Sequence, residues 1–303
     1  MFAVQYQTYG EPSVLEIADR PEPHAGPDSV RVRVLAVSVN PIDRLLRAGH
    51  LKELLPLQLP AIPGRDAVGI VDEVGEGVTD VAIGDKVFGL GGVSDTTAEY
   101  AVLTAWAPVP TVWSDEEAAA AGLASVTALR ALDALGELDG STLLVGGAAG
   151  AVGSAAAAFA IAAGVRVVGT ASETNHERLR AMKVIPVTYG DGLVDRVRAA
   201  APDGVDFALD AAGSGSLPQL IELAGDTAHV VTVADHQAAS ELGVRSVYAE
   251  NDSALLRRAA AFADAGQYTP HVSEVMSFRD AARAHAQSEK RSGKIVLRIG
   301  LDR

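Results

Sequence analysis

One stretch restricts the folds open to this chain more than any other. Residues 142–153, Thr-Leu-Leu-Val-Gly-Gly-Ala-Ala-Gly-Ala-Val-Gly, run from a short apolar segment through glycines into an alanine-rich segment, 154–163, with almost no side-chain bulk. A strand, a glycine turn and a helix in that order make a phosphate-binding turn. Glycine lets the backbone bend sharply and approach a pyrophosphate. The N–H groups at the helix start, with the positive end of the helix dipole, then hold the anion. A second apolar strand, 165–169, follows at the interval of a βαβ unit. Gly147, Gly150 and Gly153 are spaced by threes, a variant of Gly-x-Gly-x-x-Gly. A tight turn in a chain rich in glycine and alanine reads the same way, so the turn alone leaves both readings open.

Other features narrow the field. At 303 residues the chain has room for about two domains. It has no cysteine, which excludes disulfides and every thiolate metal site. A formal net charge of −14, with no basic cluster to offset it, argues against nucleic acid and membrane partners. An anionic cofactor can still be held by backbone dipoles. The first residues lack the basic and apolar regions of a signal peptide, and the longest nearly apolar run, 155–165, is too short to cross a bilayer. A cytoplasmic protein is expected.

Residues 1–110 read as β structure. Residues 30–37 alternate for half their length, and 67–74, 85–89 and 99–103 are further short strands bounded by Gly and Pro, the pattern of a barrel or a partly open sandwich. Ser114 and Glu117 form a capping-box pattern ahead of a helix over 115–135. Helical and apolar stretches then alternate to about residue 248, which implies a parallel sheet. Residues 252–265 and 278–288 read as amphipathic helices. The terminal strand 293–299 is expected to return to the N-terminal β domain.

Several motifs occur in a fixed order: Val39-Asn40-Pro41-Ile42-Asp43, Pro63-Gly64-Arg65-Asp66-Ala67-Val68-Gly69, Gly84-Asp85-Lys86-Val87-Phe88-Gly89, Ala98-Glu99-Tyr100, Thr127-Ala128, the glycine turn, and Gly293-Lys294-Ile295-Val296-Leu297. In this order they resemble the medium-chain dehydrogenases/reductases, in particular their zinc-free quinone oxidoreductase branch, over essentially the whole chain. The resemblance implies an α/β fold: a GroES-like β-barrel catalytic domain from both chain ends (1–112 and 245–303) with an inserted Rossmann domain, a doubly wound parallel sheet (113–244). It implies NADPH as cofactor, hydride transfer to a small-molecule acceptor in the cleft between domains, and a homodimer formed through the edge of the Rossmann sheet.

Zinc-dependent relatives hold a metal at positions that here are Asn40, Arg65 and a residue near Leu123. A guanidinium cannot ligate zinc and a carboxamide is a poor ligand, so no zinc is expected. What remains is hydride addition to a quinone or to a C=C conjugated to a carbonyl. Asn40 is the first candidate catalytic residue, placed by the resemblance beside the nicotinamide ribose; an Asx-turn before Pro41 is the structural alternative. Asp43 is the second, as a proton relay. Structurally, Asp43 is expected to pair with an arginine such as Arg47, and Asp66 to bond the turn around Gly64. A tyrosine found in some members two residues after the Asp43 position is Leu45 here, which removes a phenolic donor and motivates an alternative function, a cofactor-binding sensor with little turnover. Residues 45–59, 90–97 and 248–252 are expected to supply loops lining the acceptor pocket.

For the cofactor, the turn contributes Ala149, Gly150, Ala151, Val152 and Gly153. The second Rossmann strand ends in Ser172 with no acid, which leaves room for a 2′-phosphate. His176 and Arg178 follow as its candidate partners. Glu173 stands 20 residues after Gly153, the spacing of an acid that selects NAD, and opposes this reading. Thr127, Val233 and Ala234 are placed by the resemblance at the nicotinamide end. Lys294 either reaches the pyrophosphate or is a solvated strand lysine. Lys183 stands where relatives have a C-capping glycine, and a remodelled helix end is expected there.

Overall fold

The computed structural model describes residues 1–288 and 293–300. β1 (Phe2–Gln5) and β2 (Glu16–Asp19) form a small antiparallel sheet. β3 (Val30–Val39), α1 (Pro41–Ala48), β4 (Asp66–Val74), β5 (Lys86–Leu90), β6 (Tyr100–Leu103) and β7 (Ala105–Pro108) follow, then α2 (Asp115–Leu135). The wound segment comprises β8 (Thr142–Gly146), α3 (Ala151–Ala162), β9 (Arg166–Ala171), α4 (His176–Ala181), β10 (Ile185–Thr188), α5 (Leu193–Ala200), β11 (Phe207–Asp210), α6 (Leu217–Ala224), β12 (Val230–Thr232), α7 (His236–Leu242) and β13 (Arg245–Ser246). α8 (Ser253–Asp264), β14 (Val272–Ser277), α9 (Ala281–Ser288) and β15 (Lys294–Arg298) complete the order.

The chain divides into two compact units. The first comprises residues 1–123, 251–264 and 269–303, and the second 124–250 and 265–268. The first division falls inside α2, not at the expected 112/113. The start of α2 is tied to the first unit: Lys86 pairs with Asp115, and the Leu123 N–H donates to the Asp66 carboxylate. Residues 265–268 join the second unit through Tyr268, which packs edge-on against Phe159 and accepts from the Ser125 hydroxyl.

The first unit holds a seven-stranded sheet in the order β14-β15-β3-β4-β5-β7, with β6 also on β3. All pairings are antiparallel except β14 with β15. β3 is its spine. Val30, Val32 and Val34 are buried while Arg31 and Arg33 turn outward, the alternation of a half-covered strand; from Ala36 to Val39 every residue is buried. The core gathers these valines with Trp106, Phe278 and Leu297. The tail returns as the sequence predicts, with β15 antiparallel to β3.

The second unit holds a six-stranded, all-parallel sheet in the order β10-β9-β8-β11-β12-β13. Numbered from β8, that order is 3-2-1-4-5-6, the doubly wound dinucleotide-binding topology. Leu144, Val168, Val197, Leu220 and Val230 pack its core.

Several expectations change. α1 lies where part of a pocket loop was expected. Eight residues are too few to display a helical period, and the helix is specified instead by Pro41 at its start, an Asn40/Asp43 capping box and Gly49 at its end (φ 81°). β14 is half exposed; its burial alternates, but Glu274 takes a less exposed position and Val275 an exposed one, so the residues carry no regular apolar alternation. The sequence offers 155–165 as its longest nearly apolar run, too short to cross a bilayer; among the described residues α2 is long and apolar enough, and 83% of its apolar window is buried within the fold, as in a core helix. The helix end at Lys183 is not remodelled: Lys183 keeps a left-handed backbone (φ 66°), and the Val184 N–H reaches back to the Leu179 carbonyl (3.0 Å). The lysine side chain is exposed there, so the cost is confined to the backbone.

Candidate functional site

In the second unit the predicted cofactor residues lie at the carboxyl ends of the parallel strands. β8 runs into Gly147, whose positive φ (75°) makes the turn. The turn is fixed to the end of β9 by two bonds: the Gly147 N–H donates to the Thr170 hydroxyl (3.0 Å), and the Ala148 N–H to the Thr170 carbonyl (3.0 Å). Gly150 is the N-cap of α3 and brings no side chain to cap it, so the first-turn donors at Ala151, Val152 and Gly153 are left for an anion. Gly153 serves packing: a Cβ there would drive into the Gly147 carbonyl. Gly169 does the same from β9, where a Cβ would stand 2.5 Å from that of Ala148. Sequence reasoning missed Gly169 and Thr170. The signal for the glycine was its place inside an apolar strand, which marks a close backbone approach.

After β9, Ser172 accepts from the Asn175 amide (2.9 Å) and shares a hydrogen bond with Thr174 (2.9 Å). Glu173 is exposed and begins a 3-10 turn. Arg178 lays its guanidinium on the Ala149 carbonyl of the glycine turn (2.7 Å), and burial lowers its pKa. His176 lies in the first turn of α4, half-buried, and its Nε2 has no hydrogen-bond partner among the described residues. Val233 and Ala234 continue from β12. Their N–H groups donate to the Asp210 carbonyl and the Thr232 hydroxyl, and the buried Asp210 carboxylate also holds the N–H groups of Ala212 and Gly213. Thr127 is buried in α2. Ala149–Gly153, Ser172 and Arg178 are thus brought together around the turn, with Val233 and Ala234 further along the same sheet edge. This set fits a dinucleotide: an open helix start for the pyrophosphate, with hydroxyl and guanidinium groups beside it and the exposed Glu173 two residues past the end of β9.

In the first unit, Asn40 and Asp43 sit in a buried polar cluster, each only 2% exposed. Asn40 is the N-cap of α1, and its N–H donates to Asp43 Oδ2 (2.8 Å). Its Nδ2 faces Asp66 Oδ1 (3.2 Å) and the Ser38 hydroxyl (3.4 Å), while its Oδ1 accepts from Lys294 Nζ. Asp66 does not bond the Gly64 turn through its side chain. Its carboxylate accepts from the Ser38 hydroxyl (2.7 Å), from Asn40 and from the Leu123 N–H (3.3 Å). Arg47, the partner expected for Asp43, turns its Nε to the Gly10 carbonyl (3.1 Å). Asp43 Oδ1 has no hydrogen-bond partner among the described residues. Burial pushes the Asp43 carboxyl up to about 7, and the negative charge of Asp66 adds to this, against the pull of the Asn40 N–H, Lys294 and Arg65. Lys294 is not a solvated strand lysine; it is 4% exposed inside this cluster.

The three positions that would hold zinc do not suit it. Asn40 Oδ1 is engaged by an ammonium, Arg65 is a cation, and Leu123 contributes only its backbone N–H to Asp66. Among the described residues no group of three His, Cys, Asp or Glu is arranged to hold a metal. Leu45, in place of the tyrosine, is a substantially exposed side chain on α1.

Comparison with known proteins gives consistent matches. A family model described as an alcohol dehydrogenase GroES-like domain matches residues 26–111, and one described as a zinc-binding dehydrogenase matches residues 179–297. The chain is 30% identical to a quinone oxidoreductase of Rattus norvegicus over 241 residues, 77% of this chain and 73% of the relative. Among solved structures it is similar to the quinone oxidoreductase from Coxiella burnetii, with a TM-score of 0.84 and 28% identity over 99% of both chains. It is also similar to a mycobacterial protein solved in complex with NADPH, with a TM-score of 0.79 and 25% identity over 99% of this chain and 100% of that one.

Proposed function

The chain belongs to the medium-chain dehydrogenase/reductase superfamily, among its quinone oxidoreductase-like members, and from that premise we propose that it is an NADPH-dependent, zinc-independent reductase of quinones or α,β-unsaturated carbonyl compounds. The superfamily consists of NAD(P)-dependent oxidoreductases with a GroES-like domain and a Rossmann domain. The observation that carries the choice of NADPH is the end of β9, where Ser172 and Asn175 stand in place of a ribose-binding carboxylate and Arg178 lies on the adjacent turn. The mycobacterial neighbour solved with NADPH supports the same reading.

When bound, the reduced nicotinamide supplies a hydride to the electron-poor carbon of the acceptor. The residues of the chain do the rest. The N–H groups of Ala151, Val152 and Gly153 hold the pyrophosphate, and Thr170 keeps the turn from shifting under it. Ser172, His176 and Arg178 discriminate the 2′-phosphate. Thr127 and the backbone of Val233 and Ala234 orient the nicotinamide. Asn40 anchors the start of α1, and Asp43 holds a proton near neutrality at a buried oxygen. Water supplies the last proton of the product. The free edge at β13 pairs with a second copy of the chain.

A second reading, a cofactor-binding sensor without turnover, is favoured by one observation: Asn40 and Asp43 are both buried and engaged within their own unit. NADPH oxidation with a panel of quinones and enones separates the two. Turnover supports the reductase. Tight NADPH binding with no acceptor reduced supports the sensor, and stoichiometric zinc in the purified protein would overturn zinc independence. Arg178→Ala is expected to weaken NADPH by about tenfold or more and NADH by clearly less, the smaller loss being that of the Arg178 bond to the Ala149 carbonyl of the turn.

A further inference from the structure

Three neighbouring strands of the first unit bring their ends together at one place. Ile295 lies opposite Val39 in the β15–β3 pair, and Ala67 opposite Val37 in the β3–β4 pair. One step further along each ladder sets Lys294 beside Asn40 and Asp66 beside Ser38. Lysine is almost never buried without a partner. Here Lys294 Nζ donates to Asn40 Oδ1 and lies 3.9 Å from Asp66 Oδ2.

A carboxamide can turn end for end at little steric cost, so its orientation depends on what faces each end. An ammonium has only donors and so pairs with the amide oxygen alone, which accepts from it. A carboxylate has only acceptors and takes the amide nitrogen alone. Asn40 stands between one of each, with Lys294 at its oxygen and Asp66 at its nitrogen. Asp66 is itself held from two further sides, by Ser38 of β3 and by the Leu123 N–H of α2. The charged groups that bear on this cluster are Asp43 from α1, Arg65 from the segment before β4, Asp66 from β4 and Lys294 from β15. Asn40 also stands at the N-cap of α1, the helix that carries Asp43 and Leu45, and holds its start through the backbone: the Asn40 N–H donates to Asp43 Oδ2 (2.8 Å) and the Asn40 carbonyl accepts from the Asp43 N–H (3.1 Å).

The geometry points to Lys294 as the positioning residue of the site, whose ammonium locks the Asn40 amide against Asp66 and orders, without a metal, the positions that a zinc site would use. This rests on the proposed reductase function for its kinetic consequence, but the lock itself is a property of the folded chain.

The test compares Lys294→Met, Lys294→Arg, Asp66→Asn and the double variant Asp66→Asn/Lys294→Met in the full chain. The readouts are quinone turnover at saturating NADPH, NADPH affinity by fluorescence, and melting temperature. Lys294→Met is expected to lower kcat by about tenfold or more while the NADPH Kd stays within about threefold, and Lys294→Arg, which keeps the donors, to recover most of the loss. The double variant is expected to melt above Lys294→Met, because the carboxylate left without its cation is gone. A Lys294→Met kcat within about twofold of the parent overturns the proposal, as does a matching loss of NADPH affinity or a Lys294→Arg variant no better than Lys294→Met. If Lys294→Met does not fold, the double variant must fold, and a double variant no more stable than the single overturns the lock. If the parent chain reduces no acceptor, the functional reading fails, and the melting comparison of the four variants still decides the lock.

Discussion

Asp43→Asn tests the buried cluster through the dependence of stability on pH. In the folded chain the Asp43 carboxyl accepts one backbone N–H at Oδ2, leaves Oδ1 without a partner among the described residues, and is pushed up to about 7, chiefly by burial. In the unfolded chain it titrates near the ordinary aspartate value of 3.8. The folded state therefore binds the proton more tightly. Stability from this group is fully present below about pH 4, is lost as pH rises toward about 7, and is constant above. A shift of about three units at about 1.4 kcal/mol each puts the total loss at about 4 kcal/mol. Asparagine keeps an oxygen for the Asn40 N–H and removes the titration, at a cost of about 1 kcal/mol for a buried amide nitrogen without an acceptor. Urea unfolding of both proteins from about pH 4 to 8.5 should then show a crossover near about pH 4.5. The variant is slightly less stable than the parent at about pH 4 and more stable by about 3 kcal/mol at about pH 8.5. A stability difference that does not change over this range would refute the assignment of a proton-holding carboxyl at residue 43.

Other perturbations have defined outcomes. Lys183→Gly should stabilise the chain by about 1 kcal/mol in the same unfolding assay, because it relieves a left-handed backbone without removing a buried contact. Ser114→Ala should cost about 1 kcal/mol, since the Ser114 hydroxyl accepts from the Glu117 N–H (3.2 Å) and the Glu117 carboxylate accepts from the Ser114 N–H (2.7 Å). Gly153→Ala should weaken NADPH by about a hundredfold or more in a fluorescence titration, because its Cβ forces the turn off the Gly147 carbonyl and displaces the donors.

Much of this fold is written in local pattern. The glycine turn, the alternation in β3 and the Ser114/Glu117 box each state their structure within a few residues, and all three form. The parallel sheet and the return of the terminal strand to the N-terminal β domain were also readable, because alternating strands and helices leave few ways to connect them; the strand order and the pairing of β15 with β3 came only with the fold. What was not readable depends on partners distant in sequence. Lys294 looks like any strand lysine until Asn40 and Asp66 are brought to it from 254 and 228 residues away. α1 is shorter than a helical period can reveal, and its signal was the cap, read instead as a turn. Lys183 shows the converse error. A local rule that disfavours lysine in a left-handed position was outweighed by the two bonds that close the helix end, from the Lys183 N–H to the Arg180 carbonyl and from the Val184 N–H to the Leu179 carbonyl. Gly169 and Thr170 act on the turn from the neighbouring strand, so no pattern within the turn itself could name them.

Calorimetric titration of the purified chain with NADPH and, separately, with NADH is the most direct measurement. NADPH should bind one site per chain at least about tenfold more tightly than NADH, since a serine and an arginine meet the 2′ position where a carboxylate would otherwise stand. Binding of neither nucleotide, or tighter binding of NADH, would contradict it.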